Sequence, residues 1–122
     1  MLQTVFDQQS IADGLKLLEE KQFNKAIKVF EEILKNDQAN ITAINALADA
    51  HNKLGNTPAT IQLYKRSLRI KENQPDIWVE VGNIYYHEDS FRKAENAYGK
   101  AVFFDSSYAK GQPCARLVFL NL

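Results

Sequence analysis

Residues 22–34 read QFNKAIKVFEEIL, residues 56–68 NTPATIQLYKRSL and residues 90–102 SFRKAENAYGKAV. The three align without a gap, their central residues Ala26, Thr60 and Ala94 standing 34 positions apart each time. Four residues beyond each lies an aromatic, Phe30, Tyr64 and Tyr98, followed by Ile33-Leu34, Ser67-Leu68 and Ala101-Val102. Apolar or small residues at such spacings form one stripe of a helix. Each segment therefore reads as the second helix of a repeated helical pair.

Twelve residues before each central position stand Gly14, Ala48 and Gly82, which fall on the first helices of the pairs. Two helices of a hairpin approach closely only where a side chain is nearly absent at their crossing, with Ala26 and Ala94 expected on the facing side. Turn signals separate the two helices at Lys21-Gln22, Gly55-Asn56 and Asp89-Ser90. They separate successive pairs at Asn36 to Asn40 and Asn73 to Pro75, which predicts helices of about 12–14 residues.

The pattern resembles the tetratricopeptide-repeat family over residues 7–108, most closely in the third copy with Trp78, Val81-Gly82, Tyr85, Phe91, Ala94, Tyr98, Ala101 and Asp105. The departures are Thr60 where the family usually has Ala, Asp13 at a usually apolar site, and Gln38, Glu72 and Ser106 where a proline commonly closes the second helix. The resemblance implies an all-α fold, a right-handed α-solenoid of three helix-turn-helix repeats, about 7–40, 41–74 and 75–108, within a single domain spanning 1–122. Exposed apolar faces at solenoid ends favour a cap. The segment YAKGQPCARLVFLNL, with Pro113 in a first turn and Ala115, Leu117, Val118, Phe119 and Leu120 as apolar cover, is expected to be a capping helix or truncated fourth repeat at 109–122.

In such a solenoid the first helices line a concave groove that binds protein segments. The face opposite the packing stripe comprises Ile11, Ala12, Leu15, Leu18 and Glu19, then Asn45, Ala46, Asp49, Asn52 and Lys53, then Asp76, Val79, Glu80, Asn83, Tyr86 and His87. Of these, the expected partner-binding residues are Ile11, Leu15, Asn45, Asp49, Asn52, Asp76, Glu80, Asn83, Tyr86 and His87. Asparagine amides offer donor and acceptor to an extended backbone, and the acids favour a Lys- or Arg-bearing segment. One subclass of the family grips a chaperone's terminal carboxylate with two Lys, two Asn and one Arg. Ile11, Leu15, Ala46, Asp76 and Glu80 occupy those places here, so a carboxylate-tail clamp is not expected.

Composition narrows the classes further. Fifteen Lys and Arg balance fifteen Asp and Glu, which gives no reason to expect nucleic acid or an anionic membrane as partner. The lone Cys114 makes no internal disulfide, MLQTVFDQQS lacks the features of a signal peptide, and no stretch nears about 18 apolar residues, so a cytoplasmic protein is expected. His51 replaces an aromatic between helices and reads as a boundary histidine, His87 as a rim residue and Cys114 as a half-buried structural thiol. No phosphate loop, metal motif or nucleophile elbow is present, and the sequon at Asn40-Ile41-Thr42 is read as coincidence. The expectation is a non-enzymatic interaction adaptor or scaffold without cofactor or metal. Two alternatives stand beside it: a scaffold self-associating through the carboxyl-terminal helix and MLQTVF, to a homodimer or larger, and a docking or regulatory module of a larger enzyme.

Overall fold

The structure, a computed structural model, describes residues 2–107, with side chains from Ser10 onward. Six helices and no strand occur among them: α1 Leu2–Glu19, α2 Phe23–Asn36, α3 Ile41–Lys53, α4 Thr57–Ile70, α5 Pro75–His87 and α6 Phe91–Phe104. Five are 13 or 14 residues long, as the spacing predicts, whereas α1 has 18 because nothing in LQTVFD stops a helix: glycine and proline are absent there. The segment 109–122, with its expected cap, Cys114 and the carboxyl-terminal dimer contact, lies outside the described residues.

The chain divides into two compact units, Met1–Ile70 and Lys71–Leu122. The first holds the first two repeats, with α1 on α2, α2 on α3 and α3 on α4, and the second holds the α5–α6 hairpin. The core of the first unit gathers Ala26, Phe30, Ile33, Leu34, Ala43, Ile44, Ala46 and Leu47. In the second, Val79, Ala94, Tyr98 and Ala101 are buried together, with Trp78, Tyr85, Tyr86 and Val102 against them. Burying side chains of this size supplies the main drive for each unit, roughly 1.5–3 kcal/mol for each large one.

The small residues at the crossings make room for the aromatics first of all. A Cβ on Gly14 would stand 2.6 Å from Phe30 Cζ, and one on Gly82 would stand 2.5 Å from Tyr98 Cε1. The ring sixteen residues downstream fills the space the missing side chain leaves.

All three hairpins turn by one device. Lys21, Gly55 and Asp89 have φ of 62°, 79° and 62°, the left-handed region that closes helix ends. Their amides donate to Leu18, Asn52 and Tyr86 carbonyls at 3.0, 3.0 and 3.1 Å, while the next amides, of Gln22, Asn56 and Ser90, donate to Leu17, His51 and Tyr85 at 2.8, 2.9 and 2.9 Å. These two bonds define the Schellman motif. The same Gln22, Asn56 and Ser90 then open the next helix, their carbonyls accepting from Ala26, Thr60 and Ala94 at 3.0, 3.1 and 2.9 Å.

A second repeated device links each later repeat to the residues that enter it. Arg66 of α4 donates through Nη2 to the Gln38 carbonyl, and Lys100 of α6 donates to the Glu72 carboxylate at 2.9 Å, each across 28 residues. Lys100 also lies 5.9 Å from the centre of the Trp78 ring, whose Nε1 donates to the Glu72 carbonyl at 2.8 Å. Thus Gln38 and Glu72, which replace the usual proline, serve as anchor points. Thr60 is absorbed as simply, for its buried hydroxyl donates to the Asn56 carbonyl at 2.9 Å. Asp105, after α6, accepts from the Ser107 hydroxyl at 2.7 Å and the Ser107 amide at 3.0 Å, which holds its carboxyl below the usual carboxylate range.

Candidate partner-binding faces on the first helices

In the first unit, Ile11, Leu15 and Leu18 recur on α1 at helical spacing, and Asn45, Asp49 and Asn52 do so on the neighbouring α3. Leu15 is 41% exposed, while Ile11 and Leu18 are half-buried and rest on the core of that unit. Asn45, Asp49 and Asn52 are half-buried. The result is a strip with apolar groups on one helix and two amides flanking a carboxylate on the next. Ala46 belongs to the core instead, at 7% exposure, because it lies on the side of α3 turned toward α2 and α4.

In the second unit, Asp76, Glu80, Asn83 and His87 form one stripe of α5, with Asp76, Glu80 and His87 exposed and Asn83 half-buried. Val79 is 4% exposed and packs with Tyr98, so it too is core rather than binding face. The amide of Asn83 is partly committed: its Oδ1 accepts from the Tyr98 hydroxyl at 2.6 Å. That bond commits the amide oxygen and fixes the amide plane, since a buried phenol holds the other end. Tyr86 is half-buried, with its ring edge-on to His87 at 6.1 Å and to Phe91 at 5.4 Å.

Phe91, which enters the sequence reading only as part of the repeat pattern, is 53% exposed and extends the Tyr86 aromatic surface at the end of α5. Its place at the first residue of α6, before the helix reaches the core, was the available signal. His51 is a boundary residue as expected, half-buried with Nδ1 3.2 Å from the Asn56 amide nitrogen beside the turn. The sequon asparagine is in use: Asn40 caps α3, its Oδ1 accepting from the Ala43 amide at 3.1 Å. Among the described residues no group of three or more His, Cys, Asp or Glu side chains comes together as a metal site would need, and no helix is long and apolar enough to cross a membrane.

The arrangement matches solved structures over almost its whole length. The type III secretion chaperone SycD of Yersinia enterocolitica, in complex with a peptide of the translocator YopD, superimposes with a TM-score of 0.84 at 12% identity, covering 93% of this chain and 92% of that one. The TPR domain of Arabidopsis OM64 gives 0.81 at 17% identity, covering 95% and 93%. The first TPR of Spaghetti (RPAP3), bound to the HSP90 peptide SRMEEVD, gives 0.81 at 12% identity over 94% and 91%. The fold is the tetratricopeptide-repeat fold. In sequence, a stretch of 80 residues, 66% of the chain, is 26% identical to the general transcriptional corepressor ssn6 of Schizosaccharomyces pombe. The chain spans 7% of that relative's length. No protein-family model matches.

Proposed function

We propose that this chain is a non-enzymatic protein-interaction module that holds a Lys- or Arg-bearing segment of a partner protein against its first helices. The observation that carries the reading is the chemistry of the two stripes: Asp49 between Asn45 and Asn52 on α3, and Asp76 and Glu80 leading to Asn83 on α5. Carboxylates there select cations, and amide groups bond an extended backbone whatever its side chains. Leu15 and Ile11 offer an apolar contact beside them. Support also comes from SycD and the Spaghetti domain, solved with peptides bound. Asp76 and Glu80 oppose a terminal carboxylate, so the grip proposed differs from a carboxylate clamp, and the setting proposed is the cytoplasm.

The test is binding of a fluorescent peptide carrying alternating Lys and Leu, measured by anisotropy. Asp49→Lys with Glu80→Lys is expected to weaken it at least tenfold while the helical circular dichroism stays unchanged. Equal affinity in the double variant refutes the reading. The second reading, a docking or regulatory module of a larger enzyme, predicts the same peptide grip and is separated from the first only by the partner it is found with. The self-associating scaffold rests on residues 109–122 and on MLQTVF, whose side chains lie outside the described part.

A further inference from the structure

The first unit is indented on the side of its second helices. A cleft of about 590 Å³ is bounded by Glu31 of α2, by Leu47 and His51 of α3, and by Ala59, Gln62, Leu63, Lys65, Arg66 and Arg69 of α4. Its floor is apolar: Leu47 is 5% exposed and Leu63 is half-buried. Its wall is cationic, three basic side chains against the single carboxylate of Glu31.

The three cations differ in what the fold requires of them. Arg66 is the anchor to the Gln38 carbonyl, and the equivalent Lys100 does the same work in the third repeat. Lys65 and Arg69 are exposed and make no ion pair among the described residues. One repeat later their places are taken by Gly99 and Phe103, and one repeat earlier by Glu31 and Lys35. The TPR scaffold therefore folds without cations at both places, and their presence beside an apolar floor calls for another reason. An arginine already fixed by one bond loses little freedom on meeting a carboxylate with its other N–H groups.

We propose that this cleft is a second docking surface, taking an acidic protein segment whose carboxylates meet Lys65, Arg66 and Arg69 while an apolar residue rests on Leu47 and Leu63. Three cations beside apolar side chains, in a chain of zero net charge, fit a short acidic segment better than a nucleic acid, whose phosphates need an extended basic track. The surface is separate from the first-helix faces and does not depend on their role.

The experiment titrates the full chain against a fluorescent peptide of alternating Glu and Leu, with a single-stranded oligonucleotide and a Lys-Leu peptide as comparison probes. Lys65→Glu with Arg69→Glu is expected to weaken the acidic peptide at least tenfold, while Asp49→Lys with Glu80→Lys does not weaken it. Arg66 is left in place so that the variant keeps its anchor. Raising salt from low to physiological strength is expected to weaken binding several-fold. The proposal is overturned if the acidic peptide does not bind, if charge reversal leaves its affinity intact, or if the oligonucleotide binds more tightly at the same residues. It is overturned equally if light scattering shows the chain self-associating through Lys65 and Arg69, for then a second copy is the occupant.

Discussion

Replacing Gly82 with alanine inserts a methyl group into the ring that the third hairpin closes around. The new Cβ would stand 2.5, 2.6 and 3.0 Å from Cε1, Cδ1 and Cζ of Tyr98, against an optimal carbon separation of about 3.5–4.0 Å. Relief requires about an ångström of movement. Tyr98 is 1% exposed and bonded to Asn83 at 2.6 Å, so it has little room to give. Overpacking of this kind costs about 1–3 kcal/mol and a loosened hydrogen bond about 1 kcal/mol, while alanine in a helix returns about 1 kcal/mol. The expected net loss is about 1–3 kcal/mol, a fall in Tm of roughly 4–12 °C. Gly99→Ala is the companion experiment, because no described atom lies within 4 Å of its added Cβ; it should gain about 0.5–1 kcal/mol. Thermal unfolding followed by circular dichroism compares the two. The second repeat already holds Ala48 before Tyr64, so the crossing accepts a methyl when the whole hairpin is built around it. If Gly82→Ala melts at or above the parent temperature, the claim that the ring fixes this glycine is wrong.

Lys21 and Asp89 occupy the left-handed position that Gly55 fills without strain, and Asp tolerates that region better than Lys. Lys21→Gly is therefore expected to stabilise by about 0.5–1 kcal/mol and Asp89→Gly by less, read from urea midpoints, with a lower midpoint for Lys21→Gly counting against the turn geometry. Asn40→Ala removes the α3 cap at Ala43 and should cost about 1 kcal/mol, whereas Asn40→Asp should cost far less; equal losses would show that the cap is not the reason.

The 34-residue period located all six helices, missing only how early α1 begins, with all three turns and the glycines at the crossings, because each leaves its mark at short and fixed offsets. What stayed hidden depends on geometry between distant positions. Nothing local at Lys21 or Asp89 announces a positive φ; it follows only from their register with Gly55. Asn83 looked free on its stripe until Tyr98, fifteen residues on, was seen to take its carbonyl. Ala46 and Val79 sat at the edge of the predicted face, where a small error in helical phase turns groove into core. The cleft draws its lining from Glu31 to Arg69 across three helices, so no window of sequence holds its pattern.

The anchors from Arg66 to Gln38 and from Lys100 to Glu72 bear on how such a chain lengthens. Each ties a second helix to the linker that precedes its own first helix, so the linker belongs mechanically to the repeat it enters. A duplication cut just before Gln38 and just before Glu72 carries a whole anchor with it, along with one turn and one crossing. One cut at the helix start, three residues later at Ile41, would instead make the arginine of the copy depend on the carbonyl of Glu72, a residue from the preceding copy. Grafts made at the former boundaries are the ones that should propagate as intact copies.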